Sequence, residues 1–397
     1  MTKEGGAQTA IAPLGFRAGA AKAGVKTGVA ERLDVGLIVS ERPCIAAGVF
    51  TTNKVIAAPC VITRTHLRHG SVRGIVANSG IANACTGEQG DEAAAEMAQV
   101  AAKAIGCSPY EIAVASTGVI GWQLPMDRIA KAVAEIRPSD TGFGDFSRAI
   151  MTTDTKPKVA SATANVAGTT VRALGVAKGA GMIHPNMATL LAFVLTDAQV
   201  SLADLRAITR RAADQSFNAI SIDGDTSTND MLLVLANGAS GAGVADAAAV
   251  GAMITDVCDQ LARQIVADGE GVTKVFEVRV KGAASLEDAR RAARTITTSN
   301  LVKTAIHGAD PNWGRIIAAA GRSGANVDDR KASIRIGGLD VFRDGTPVRF
   351  DPADLRRAFE QTEIVIELTL GLGGWDATAW GTDLSAEYVR INADYTT

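Results

Sequence analysis

Aromatic side chains are scarce: Phe, Trp and Tyr make up 4% of the 397 residues. Small residues take their place, which favours close helix–sheet packing over an aromatic binding surface. Histidine is rarer still, with only His66, His69, His184 and His307. No HExxH and no Cys/His cluster occurs, which argues against a zinc site. The cysteines, Cys44, Cys60, Cys85, Cys107 and Cys258, are odd in number and form no CxxC, so reduced thiols are expected rather than a disulfide framework. Excess charge is missing too. The net charge of −2 leaves no electrostatic footprint for nucleic acid. No apolar run reaches about 18 residues, so no membrane span is expected. The first residues, Met1 to Phe16, lack the apolar core of a signal peptide. A cytoplasmic location follows as the expectation.

What is present is a long, Ala- and Gly-rich chain with 47% hydrophobic and 21% charged residues. Its length exceeds what one core usually takes, so two domains or one large α/β unit are expected. Strands are read at Leu33 to Val39, Ala46 to Phe50, Arg73 to Asn78, Glu111 to Ser116, Lys158 to Val166, Thr170 to Val176 and Leu190 to Leu195. Helices are read at Asp91 to Ala104, Pro125 to Ile136, Phe143 to Met151, Ser201 to Gln215, Ala245 to Ala267 and Ser285 to Thr298. The last third adds the strand Lys274 to Val280, a helix near Ile316 to Ala320, two hairpin-like strands, a short helix near Asp354, the strand Glu363 to Leu370 and a final strand near Glu387 to Ile391. Met231 to Ala236 reads equally as strand or helix. Strands occur in adjacent pairs as well as alternating with helices, so the pattern is mixed α/β and not a simple doubly wound sheet.

One stretch stands apart, Lys178 to Asp197 (KGAGMIHPNMATLLAFVLTD). Its first half is loop material, with Gly179 and Gly181 permissive and Pro185 unable to continue a helix or central strand. Its second half is an apolar run of strand length. Thr189 sits at the junction, preceded by Ala188. Threonine also favours strands for packing reasons alone. A threonine first in a buried strand and presented by a glycine loop is also how an N-terminal nucleophile is built. Cleavage at Ala188–Thr189 would free an α-amine whose ordinary pKa, about 7.7–8.0, suits a general base for the hydroxyl.

This stretch resembles the processing site of the ornithine acetyltransferase family, the glutamate N-acetyltransferases of arginine biosynthesis, and the resemblance covers nearly the whole chain. It implies self-cleavage before Thr189 by an N→O acyl shift. The resulting chains are 1–188 and 189–397, two of each in a heterotetramer. The implied fold has two layers of sheet and helix, 189–280 completing the main domain and about 281–397 forming a smaller C-terminal α/β domain. The implied reaction moves an acetyl group from N-acetylornithine to glutamate through acetyl-Thr189, with no cofactor. Acetyl-CoA-to-glutamate transfer is a second activity of some members. Thr117 and Gly118 correspond to the oxyanion hole. Lys178, Glu270, the first threonine of Thr152-Thr153, Asn392 and Thr397 correspond to substrate-binding positions. Read without the resemblance, Thr117-Gly118 is an ordinary strand exit, Lys178 a surface charge and Glu270 part of a glycine turn.

Other features carry less. His184 lies near Thr189, and a role in the cleavage loop is the most it suggests. KGAG is not a phosphate loop, because GxxxxGK[ST] is absent. Asp223 to Asp230 fails as a calcium loop, since Thr228 and Val234 stand where glycine and glutamate are required. Asp310 to Arg315 (DPNWGR) receives no role. The rival enzyme reading is a self-processing aminopeptidase or amidase, and the non-enzymatic one is a structural α/β protein with an inert Thr189.

Overall fold

The apolar runs of the sequence become strands covered on both faces. The structure, a computed structural model, describes residues 11–26, 32–184, 190–242 and 247–394. The strands are β1 (Phe16–Ala21), β2 (Val35–Phe50), β3 (Val72–Asn78), β4 (Ile112–Ser116), β5 (Lys158–Val166), β6 (Thr169–Lys178), β7 (Leu191–Thr196), β8 (Ile220–Ser221), β9 (Met231–Ala236), β10 (Val275–Ala283), β11 (Ser333–Ile336), β12 (Leu339–Arg343), β13 (Thr346–Pro347), β14 (Glu363–Thr369) and β15 (Trp375–Thr382). The first sheet runs β4-β3-β2-β9-β7-β6-β5, with β1 also paired to β2. The second runs β13-β12-β11-β14-β10-β15-β8. With eleven α-helices among the described residues, this is the mixed α/β architecture expected.

Strand β7 is interior, antiparallel to β6 and parallel to β9. Its alternate residues enter different cores. Leu191, Phe193 and Leu195 pack with Phe146 and Ile150 on one face, and Ala192 and Val194 pack with Val257 and Leu261 on the other. Strand β9 divides the same way, Met231, Leu233 and Leu235 against Leu232, Val234 and Ala236. Period-two alternation on a strand buried twice leaves no polar position, hence the unbroken apolar runs. Each buried Leu or Phe contributes roughly 1.5–3 kcal/mol. The long helix Ala247–Ala267 lies close over β6, where a Cβ at Gly175 would meet Val257 at 2.6 Å and Leu261 at 2.7 Å.

Four sequence readings are corrected. The strands at Leu33 to Val39 and Ala46 to Phe50 are one strand, β2. Its first part pairs with β3, its last part with β9, and a register shift separates Val39 from Cys44. The final strand near Glu387 to Ile391 is instead the helix Ala386–Asp394. Tyr388, Val389 and Ile391 favour strands by type, but Ser385 Oγ accepts the Tyr388 N–H at 3.1 Å, in the manner of a helix cap. Strand β15 takes the sheet position instead, between β10 and β8. The helices Ala58–His66 and Asn300–His307 were read as no element, and Met231 to Ala236 resolves as strand. The second sheet has its own core, Phe276, Val278, Val280, Ile366 and Leu368 against Ala292 and Ile296 of the helix Leu286–Thr297. Short β8 belongs to that sheet, yet the chain leaving it enters β9 of the first. The loop 222–230 therefore runs from one sheet to the other.

Candidate active site

Strand ends of the first sheet converge on a cavity of about 160 Å³. Its lining includes Thr117, Gly118, Thr152, Thr153, Lys178, Leu190, Glu270 and Asn392. Residues from Ala82 to Asn392 thus share one cavity lining. Every candidate site residue within the described structure is among them. Ala188, Thr189 and Thr397 lie outside the described residues. Leu191, two positions after Thr189, is paired with Lys178 across β6 and β7.

The Thr117-Gly118 corner is built by two parallel strands ending together, with Asn78 of β3 opposite Ser116 of β4. Their exit turns cross. Thr117 N–H donates to Asn78 O at 3.0 Å and Val119 N–H to Gly80 O at 3.1 Å. Gly118 lies between with φ +129°, and a Cβ there would sit 2.2 Å from the Gly80 carbonyl carbon. Only glycine tolerates both the dihedral and the contact. Among the described residues, neither the Gly118 N–H nor the Thr117 hydroxyl has a hydrogen-bond partner. Two donors at one cavity wall are thus left for an oxygen. Asn229 secures the corner from behind, its Nδ2 donating to Ala82 O at 2.6 Å and Ser116 O at 2.9 Å.

Each residue of KGAG has a placement. Lys178 is buried, and its ammonium makes no hydrogen bond or ion pair to a described residue. Burial pushes its pKa down, Asp154 opposes this, Lys158 adds to it, and Asp230 and Glu270 oppose it further. A bound carboxylate would restore what desolvation takes away. Gly179 N–H donates to Asp154 Oδ1 at 2.6 Å. Ala180 O accepts the Glu270 N–H at 2.9 Å. At Gly181 a Cβ would lie 2.5 Å from the Glu270 carboxylate, so that site is kept small for Glu270.

A buried charge cluster ties the Thr152 turn to Glu270. Lys158 Nζ donates to Asp154 Oδ1 at 2.7 Å and to Asp268 Oδ2 at 2.6 Å. Asp154 also accepts the Thr152 N–H at 2.9 Å, and Asp268 accepts the Thr155 N–H at 3.0 Å. Burial works to raise the Asp154 pKa, but Lys178 and Lys158 overcome it and hold the carboxyl at about 2. Glu270 accepts from Asn392 Nδ2 at 2.8 Å, and Tyr388, one helical turn earlier, lines the same cavity.

The segment before the expected cut is fixed to the loop 221–226. Asp223 accepts the N–H groups of Met182 at 2.5 Å and Ile183 at 2.8 Å, and burial and then the Asp223 charge push the Tyr388 phenol pKa up. Ile222 N–H donates to Ile183 O at 2.7 Å, and Thr226 Oγ1 to His184 O at 2.8 Å. Arg294 Nη2 donates to His184 Nε2 at 3.0 Å, which leaves Nδ1, 3.2 Å from Ser221 Oγ, to carry the proton. Burial and then Arg294 push the His184 pKa down to about 4.

Residues 17–397 match the ArgJ family. The chain belongs to that family. It is 52% identical over 393 residues to the arginine biosynthesis bifunctional protein ArgJ of Symbiobacterium thermophilum, spanning 97% of this chain and 98% of that protein. It is 50% identical over 390 residues to the protein of the same name from Dehalococcoides mccartyi, spanning 97% and 96%. A crystal structure of the bifunctional protein argJ from Bacillus halodurans aligns at 41% identity with a TM-score of 0.50, covering 51% of this chain and 98% of that one. The resemblance read from the KGAGMIHPNMATLLAFVLTD stretch is borne out.

In this ArgJ-family chain the sequence reading missed the supports of the cavity. Asp154, Lys158, Asp223, Asn229, Asp268 and Tyr388 carried no assigned role. Asp223 and Asn229 lie in the stretch set aside as a failed calcium loop, where so polar a loop ahead of a buried strand was itself a signal. Asp268 adjoins Glu270 in DGEG, and Asp154 follows Thr152-Thr153. Lys158, at the head of a strand, had no signal at all.

Proposed function

We propose that the chain cuts itself at Ala188–Thr189 and that Thr189 then carries an acetyl group from N-acetylornithine to glutamate. The observation that carries this reading is the convergence of Thr117, Gly118, Thr152, Lys178, Glu270 and Asn392 on one cavity that also takes in Leu190. The free Gly118 N–H and Thr117 hydroxyl suit the oxyanion of an acyl transfer. Lys178 suits the α-carboxylate that both amino acids possess. Glu270, held by Asn392, suits the amine of ornithine. The Thr189 hydroxyl attacks the acetyl carbonyl, its proton passes to the α-amine, and ornithine leaves; glutamate then reverses the steps and departs as N-acetylglutamate. The length of the solved chain, about half of this one, supports a cut near the middle. Membership of the ArgJ family favours this transfer over the aminopeptidase reading.

On the same reading the mature enzyme contains residues 1–188 and 189–397, two copies of each, and works in the cytoplasm. No helix of the described residues is long and apolar enough to cross a membrane. Residues 1–188 with 189–280 form the main domain, and the smaller one follows from about 281. The word bifunctional in the relatives' names fits acetyl-CoA as a second acetyl donor. The test is an exchange assay with purified protein, N-acetylornithine and glutamate. Formation of ornithine and N-acetylglutamate in equal amounts is the expected result. Release of free acetate without N-acetylglutamate would assign a hydrolase instead.

A further inference from the structure

A second groove, of about 400 Å³, lies between the helices Ala58–His66 and Leu202–Gln215 over the last residues of β2. It shares no lining residue with the cavity of Lys178. Its floor is Ala46, Ala47, Gly48, Val49 and Phe50, and its rim carries Arg64, Arg68, Arg206 and Arg210. No carboxylate is among the described residues that line it. Arg206 and Arg210 are an i,i+4 pair on one helix, and opposite them Arg64 lies in the last turn of the other helix with Arg68 just past its end.

None of the four guanidiniums has an ion-pair partner among the described residues. Other arginines do have a carboxylate close in sequence: Arg148, Arg263, Arg291, Arg343, Arg357 and Arg390 each have one three or four residues away. Arg64 lies over the Phe50 ring at 5.1 Å, which holds one fork against the floor. Four uncompensated positive charges around one groove raise each other's energy, and an anion relieves this. The planar fork of arginine matches phosphate bidentately. The near-neutral charge of the chain and the small span of the groove argue for a small ligand over a polymer.

We propose that this groove binds a small ligand carrying two or more phosphate groups, with an apolar or ring portion resting on Ala46 to Phe50. The segment between the groove floor and the Arg64 helix is bonded to the cavity loop, with Thr51 Oγ1 donating to Ser227 O at 2.7 Å and Asn53 Nδ2 to Thr226 O at 2.9 Å. Thr51 N–H donates to Asp230 O at 3.0 Å, and Ala57 N–H donates to Thr228 O at 3.1 Å. Thr51 directly follows Phe50 of the groove floor, and Ala57 precedes the helix whose far end carries Arg64.

Isothermal titration calorimetry at low salt tests this with ADP in one arm and inorganic tripolyphosphate in the other. Saturable binding with one site per chain is expected for both, weakening as salt is raised. Tighter binding of ADP would assign a role to the apolar floor, and equal binding would place the affinity in the phosphates; both support the site. The double variant Arg206→Ala/Arg210→Ala should bind either probe about tenfold or more weakly, while keeping its melting temperature and its acetyl exchange between acetylornithine and glutamate. Absence of saturable binding, or equal binding by the folded double variant, would overturn the proposal. A change of oligomeric state in the variant by light scattering, without loss of ligand affinity, would assign the groove to a subunit contact and also overturn it.

Discussion

At the scale of single residues, the proposed chemistry rests on groups left without partners. A folded protein seldom leaves a buried donor idle, because the unpaired group costs about 1–3 kcal/mol. Among the described residues, the Gly118 N–H, the Thr117 hydroxyl and the Lys178 ammonium stand idle at one cavity, while the buried Arg73 Nε and Trp380 Nε1 lack partners elsewhere. Thr117→Ala should lower kcat by roughly 10²–10³ if its hydroxyl stabilises the oxyanion, with little change in KM. An unchanged kcat in a folded, processed variant would remove Thr117 from the mechanism. Lys178→Met should instead weaken capture of both amino acids, lowering kcat/KM by about 10- to 100-fold for each. On the proposed reading one cation serves both substrates, so the two losses should be alike; loss with glutamate alone would contradict the shared carboxylate site.

At the scale of elements, the loop Met182 to His184 is positioned by the segment Ser221 to Thr226 and by Arg294. His184 gives this contact a pH dependence. Its pKa in the folded protein is about 4, below the ordinary 6.5, so the unfolded chain takes up the proton more readily. Its contribution to stability is therefore complete above pH 6.5 and is lost as pH falls from 6.5 toward 4. Thermal melts should show a decline over that window that is smaller in His184→Gln; identical slopes would show that His184 does not supply it. Asp223→Ala removes the acceptor for two loop N–H groups and should slow the appearance of the cut chains, followed on a denaturing gel, more than it lowers the melting temperature. Processing at the wild-type rate would leave Asp223 with a purely structural role.

The elements also show how far sequence could carry. Strands β6, β7 and β9 were legible because burial on both faces writes itself as an apolar run, although Met231–Ala236 needed the sheet to distinguish strand from helix. Thr117, Gly118, Lys178, Glu270 and Asn392 were legible through resemblance, since nothing local distinguishes them from a strand exit, a surface charge, a glycine turn or a tail. Asn392 proved to be helical, placed by Ser385 and by Gly271, where a Cβ would lie 2.4 Å from Tyr388 N. That contact joins positions more than a hundred residues apart and has no local trace. Lys158 was illegible for the same reason, because its meaning lies in Asp268, 110 residues away.

At the scale of the whole molecule, the cut would fall where it costs the fold least. Strand β7 lies between β6, which precedes the cut, and β9, which follows it. Hydrogen bonds and two cores cross from 1–188 to 189–397, so the two chains should remain together after cleavage. Native mass spectrometry should find them as one complex, and denaturing analysis as two chains, one starting at Thr189. Thr189→Ala should stay intact. An active wild-type enzyme running only at full length would exclude the processing step.

The most direct test of the central claim is the covalent intermediate. Wild-type enzyme incubated with N-acetylornithine alone, then digested and weighed, should yield the peptide beginning at Thr189 heavier by one acetyl group, about 42 Da. Addition of glutamate should discharge it and release N-acetylglutamate. A peptide that never gains this mass under conditions where the exchange reaction runs would contradict the account, and Thr189 would then serve processing without serving catalysis.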